Sequence, residues 1–199
     1  PSLKGLFFFF FTLTALAACA TLAAVAAPAQ AADYVIEPTH TFASFEITHF
    51  GAAKNRARFD KKEGTVQFDR AAKTGKVELT IDAASISSGV PQFDRHLKSA
   101  DIFDVEKFPT IKFVGDKFHF SGDKVTAVDG QLTLKGQTHP VTLKANQFNC
   151  YDSPMLKREV CGGDFEATID RTQWGLNYGL PMVAGKEVRV IATVEAVKQ

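Results

Sequence analysis

Along most of the chain, apolar and polar residues alternate with a period of two. In TFASFEITHF, Thr41 to Phe50, one face carries Phe42, Ser44, Glu46, Thr48 and Phe50, and the other carries Ala43, Phe45, Ile47 and His49. The same rhythm returns in Val66 and Phe68, in Val77, Leu79 and Ile81, in Ile111 and Phe113, and in Phe118 and Phe120. It continues through Leu132 and Leu134, Val141 and Leu143, and Phe165, Ala167 and Ile169, and ends with Val188, Val190, Ala192 and Val194. Each run predicts a strand with one face in a core and the other in water. Turn residues separate the runs: Lys73-Thr74-Gly75, Ser121-Gly122-Asp123, Asp129-Gly130, Lys135-Gly136-Gln137, Gly162-Gly163 and Ala184-Gly185-Lys186. Connections this short join antiparallel neighbours. The expectation is an all-β domain of about eight strands, which buries its apolar faces as a sandwich or a closed barrel. A barrel of eight strands has an interior just wide enough for its own side chains or one slender ligand.

Two stretches escape the pattern. In Gly89 to Lys107, Pro91 suits a first helical turn, and Phe93, His96, Leu97 and Ala100 fall at helical spacing, which predicts a short helix from about Pro91 to Ser99. The aromatic-rich segment His96 to Phe113 then leads to Pro109 and a new strand. Such an interruption is where a β fold places a lid, a plug or a site. The second exception is Tyr151 to Val160, between Cys150 and Cys161.

The first residues belong to a different class. Lys4 precedes the apolar run Leu6 to Ala18, and small residues then lead to Ala29-Gln30-Ala31, an A-x-A-type cleavage site. This is the layout of a signal peptide covering residues 1–31, ahead of a single domain at 32–199. An uncleaved membrane anchor is one alternative. A lipoprotein tethered at Cys19, within Leu16-Ala17-Ala18-Cys19, is another. Lys4 is the one charge of the leader, so the 22 acidic residues of the domain face 22 basic ones. A neutral domain lacks the basic surface that nucleic-acid binding needs. Cys150 and Cys161, an even pair in an exported chain, are expected to form a disulfide across a hairpin loop, with free thiols as the alternative.

Catalytic chemistry finds little support. His40, His49, His96, His119 and His139 form no H-E-x-x-H arrangement, and no C-x-x-C, G-x-S-x-G or glycine-rich phosphate loop occurs. No metal site is expected. Asp94-Arg95-His96 is a dense polar trio, but neighbours on a helix point in different directions. Asp170-Arg171-Thr172-Gln173-Trp174-Gly175 follows a strand, where Trp174 is either core or channel wall. Arg171 is expected to pair with Asp170 or with another carboxylate of the barrel.

Three segments, YVIEPTHTFASFEITHFG, FDRHLKSADIFDVEKFPTIKF and ATIDRTQWGLNYG, resemble the YceI-like family of exported bacterial proteins in order and spacing. The resemblance implies a single antiparallel, lipocalin-like barrel with an isoprenoid-type lipid in an apolar channel. It implies a periplasmic or secreted location and, from some members, a homodimer. Channel lining then falls to Phe42, Phe45, Phe50, Phe93, Leu97, Phe103, Phe108, Phe113 and Trp174. A polar mouth, or packing of the helix on the barrel, falls to His40, His49, Asp94, His96, Asp170 and Arg171. The expected function is a periplasmic carrier or sequestering protein for a quinone or polyprenyl chain, with no cofactor and no enzymatic step. The alternatives are an enzyme using His96 with Asp94 on a small apolar substrate, and a stress-response interaction protein whose barrel is filled by its own side chains.

Overall fold

A computed structural model describes residues 31–199, so the leader up to Gln30 and the lipoprotein alternative at Cys19 lie outside the described residues. Among the described residues, eleven strands form in chain order: β1 (Ala32–Ile36), β2 (Phe42–His49), β3 (Ala53–Phe59), β4 (Lys62–Asp69), β5 (Thr74–Asp82), β6 (Ile86–Ser87), β7 (Thr110–Ser121), β8 (Lys124–Leu134), β9 (Gln137–Asp152), β10 (Glu159–Asp170) and β11 (Ala184–Lys198). Helix α1 (Pro91–Lys98) follows β6, with Pro91 in its first turn.

Eight of these strands close a barrel in the order β1-β4-β5-β7-β8-β9-β10-β11, with β11 returning to β1. All pairings are antiparallel. The three further strands arise where β11 changes partner. Its end pairs with β1 (Ile36↔Ala196), and its earlier part pairs with β2 (Phe42↔Thr193 to Ala184↔His49). The chain between Ile36 and Phe42 swings out at this fork. Thr41, only 1% exposed, fills the fork with its hydroxyl. The Thr41 Oγ1 donates to Glu195 O and accepts from Glu195 N, both at 3.2 Å, while Glu37 N donates to the same carbonyl at 2.8 Å. The ladder groups that the fork would leave unpaired are thereby satisfied.

From β11, β2, β3 and β6 continue as a flap at the lower end of the barrel, the end formed by the starts of β7, β9 and β11. Helix α1 packs on β6. The turns after it bury Phe103, whose ring meets Phe45 at 5.9 Å and Phe59 at 5.6 Å. Lys135 Nζ donates to Ile102 O at 2.8 Å and Ala83 N to Pro109 O at 2.9 Å, fastening this segment across the remaining gap. The predicted interruption between the strands is thus the lid of the lower end, with β7 starting directly after Pro109.

Three predicted turns are not turns. Ala184-Gly185-Lys186 opens β11, at a break in its register with β2. Asp129-Gly130 lies inside β8 and Gly162-Gly163 inside β10. These glycines serve close approach instead: a Cβ on Gly162 would stand 2.2 Å from Val194 O, and one on Gly130 2.5 Å from the Phe113 ring. The β8–β9 turn forms as expected, with Lys135 and Gly136 both at positive φ between the paired Leu134 and Gln137.

Candidate functional site

The upper half of the barrel is closely packed and leaves only a small chamber of about 80 Å³. Phe68 lies 6.4, 6.0 and 5.7 Å from Phe118, Phe120 and Phe148, a four-ring cluster within the wall of small and branched side chains. Polar groups close the top. Tyr34 Oη donates to Glu159 at 2.6 Å, and Glu159 also receives Arg70 at 3.1 Å. Burial pushes the Tyr34 phenol up, and Glu159 adds to the effect. The Tyr34 hydrogen bond holds the Glu159 carboxyl below the usual range, with Lys198 and Arg70 assisting. Cys150 and Cys161 stand directly opposite each other on β9 and β10 and are joined by the expected disulfide.

The lower half is hollow. A cavity of about 380 Å³ runs from mid-barrel toward the lower end, a volume within the range of small-molecule sites. Phe45 and Ile47 of β2, Phe59 of β3, Ile111 and Phe113 of β7, and Val188 and Val190 of β11 form much of its wall. Phe93, Leu97 and Phe103 close it from the lid. Polar side chains gather at the lower end: His49, Asn55, His96, Asp101 and Arg171. Among the described residues, no three His, Cys, Asp or Glu side chains are grouped to hold a metal ion.

Of the residues singled out from the sequence, the cavity brings together Phe45, Phe93, Leu97, Phe103, Phe113, His49, His96 and Arg171. Others stand elsewhere. Phe42 and Phe50 occupy the outward face that strict alternation assigns them, 41% and 60% exposed, and Lys62 Nζ lies 5.4 Å above the Phe42 ring. Phe108 does not turn into the channel; its ring packs over Gly136 and beside Lys107. Trp174 is core at 1% exposure, its Nε1–H donating to Leu132 O at 3.0 Å. His40 sits exposed at the fork, at the opposite end of β2 from His49 and the mouth, its Nδ1 2.7 Å from Glu37.

Asp94 and His96 do not work as a pair. Asp94 Oδ1 accepts from Ser88 N and Ser88 Oγ, both at 2.6 Å, and these bonds hold its carboxyl below the usual range. It thus ties the start of α1 to β6. The His96 ring instead meets Tyr178 edge-on at 4.8 Å. Asp170 is a cap: its carboxylate accepts from Thr172 N at 3.1 Å and Thr172 Oγ1 at 2.6 Å, fixing the single 3-10 turn that follows β10.

That turn carries Arg171, which is 6% exposed and, among the described residues, pairs with no carboxylate. Its guanidinium donates to four carbonyls: Nε to Gly185 at 2.8 Å, Nη1 to Leu176 at 2.6 Å, and Nη2 to Tyr178 at 2.9 Å and Ala184 at 3.0 Å. Burial pulls its pKa down, with Asp170 opposing. The loop from Leu176 to Gly185 forms one side of the cavity mouth, so Arg171 acts as its fastener. The expected ion pair is replaced because this loop returns four backbone acceptors to the place where a carboxylate would have stood. Tyr178, Asn55 and Asp101 are mouth residues that the sequence reading missed; no local pattern sets them apart.

The YceI-like domain family matches residues 34–196. The UPF0312 protein of Pseudomonas aeruginosa strain LESB58 is 35% identical over 191 residues, covering 94% of this chain and 98% of its own. That of Pseudomonas putida strain F1 is 33% identical over 177 residues, covering 87% and 91%. Among solved structures, BcnA of Burkholderia cenocepacia superposes with a TM-score of 0.68 at 22% identity, covering 80% of this chain and 98% of that one. A polyisoprenoid binding domain from Saccharophagus degradans, implicated in plant cell wall breakdown, gives a TM-score of 0.62 at 16% identity, covering 85% and 99%. At these identities, the structural likenesses speak for the fold.

Proposed function

The chain belongs to the YceI-like family, and on that premise we propose that its barrel binds an apolar isoprenoid-type lipid, a quinone or polyprenyl chain, and serves as a periplasmic carrier or sequestering protein. One observation carries the reading: a cavity of about 380 Å³ with largely apolar walls and its charged and imidazole side chains near the mouth. Such a chamber stabilises a hydrocarbon chain by removing it from water, at roughly 0.8 kcal/mol per CH₂. Ordering the chain offsets part of that gain. The polar groups at the mouth suit a headgroup or the end of the chain. The Saccharophagus degradans domain, described as polyisoprenoid binding, supports the ligand class. Export rests on the leader-like residues 1–31, and the disulfide suits an oxidising compartment. The role is one of binding and transfer, not of bond making.

The test is native mass spectrometry with solvent extraction, on protein prepared without detergent, followed by thermal unfolding with added isoprenoid lipids. The expected result is a co-purifying apolar lipid, or a melting temperature raised by several degrees at saturating ligand. Protein that is consistently empty and whose melting temperature ignores every isoprenoid overturns the reading.

A further inference from the structure

Above the main cavity lies a second, smaller chamber of about 80 Å³ within the upper half of the barrel. Four side chains line both chambers: Leu79, Phe113, Leu143 and Ala192. They form one level of the wall, each from a different strand (β5, β7, β9 and β11). Phe113 is the largest of them and is 6% exposed.

Its ring is wedged. Gly115 and Gly130 face each other across β7 and β8. A Cβ on Gly130 would stand 2.5 Å from Phe113 Cζ, and one on Gly115 would stand 3.0 Å from Cε1. The ring therefore occupies the space that two side chains would otherwise take, and lies against bare backbone. A ring seated on backbone yields less than one seated on flexible side chains.

We infer that the level of Phe113 is the stop that sets how long a ligand chain this barrel accepts, an inference that rests on the lipid reading above. A tail entering from the lower mouth fills the larger chamber and ends at this level. The upper chamber, backed by the four-ring cluster, stays closed to it while Phe113 keeps its seat. Each CH₂ that finds no place beyond the stop forfeits roughly a four-fold gain in affinity. A full isoprene unit gained or lost at this level is therefore read as at least about a ten-fold change in Kd.

The experiment measures Kd by titration calorimetry for geraniol, farnesol, geranylgeraniol and solanesol, with the whole domain and its disulfide intact. In the unsubstituted protein, affinity rises along the series and then levels off at the length that fills the lower chamber. Phe113→Ala joins the chambers and moves that plateau to a longer chain, with at least a ten-fold gain for the member beyond it. Leu143→Ala widens the same level and moves the plateau in the same direction, which keeps the test valid if Phe113→Ala does not fold. Val190→Ala enlarges only the lower chamber, sideways, and leaves the plateau in place. Binding with a plateau that neither widening variant moves, or that Val190→Ala moves as far, overturns the stop and leaves the lipid reading standing. Failure of the unsubstituted protein to bind any member overturns both.

Discussion

The upper and lower halves of the barrel share five long strands, β7 to β11, yet one half is packed and the other is hollow. Both walls alternate in the same way. Above, Phe68 meets Phe118, Phe120 and Phe148, and only a chamber of about 80 Å³ is left. Below, β2, β3 and β6 leave the ring at the fork, the lumen widens, and α1 with its following turns roofs the space without filling it. An inward-facing aromatic is thus core or container wall according to what the opposite wall supplies. The alternation that places it inside does not decide which.

The difference predicts unequal responses to the same substitution. Phe68→Ala removes a ring with neighbours on several sides and should cost about 4 kcal/mol in urea unfolding. Phe45→Ala, whose ring already borders the cavity, should cost about 2 kcal/mol, because fewer contacts are lost. Equal costs would mean that the lower half is as tightly packed as the upper.

The mouth should fail next. Arg171→Met keeps the stem of the side chain but leaves four carbonyls without their donor, with an expected loss of about 3 kcal/mol. Hydrogen exchange should accelerate in residues 176–185 first, with the upper strands unchanged. Uniform acceleration would show that the clamp supports the whole barrel, not the lip.

At the top, Cys150→Ala with Cys161→Ala should cost about 2–3 kcal/mol by the chain-entropy account and leave the lower cavity intact. Ligand affinity that falls with the disulfide would break the separation of the two halves. The smallest effect concerns pH. The Glu159 carboxyl is depressed when folded, so its contribution is complete above the usual carboxylate range and is lost as pH falls through its lowered value. The Tyr34 phenol is raised, so its contribution is complete below about pH 10 and is lost as pH rises beyond it. Each is worth about 1 kcal/mol or less. Tyr34→Phe should flatten both limbs of the melting temperature against pH, and unchanged limbs would assign them to other groups.

Much of this was legible in the chain. Period-two alternation places Phe45 and Ile47 inward and Phe42 and Phe50 outward. It was resemblance, not periodicity, that drew Phe42 and Phe50 into the channel. The Cys pair and the restart after Pro109 were readable because each rests on neighbouring residues. The Arg171 clamp was not, because its acceptors are backbone groups of a loop whose return path no side-chain pattern records. Nor was the hollow itself, since an empty volume depends on how eight strands close and where three others depart. Gly130 and Gly162 looked like turns because glycine marks both turns and close approach, and only the facing strand tells them apart.

The unequal ends have one more consequence. The lid and the loop from Leu176 to Gly185 meet at the lower mouth, whereas Tyr34 and Val125, at 3% and 2% exposure, lie buried in the upper half. On the proposed reading, in which a lipid uses the lower mouth, a chain goes in tail first and comes out head first. Exchange of cargo is then sequential: the resident withdraws its length before a successor takes its place.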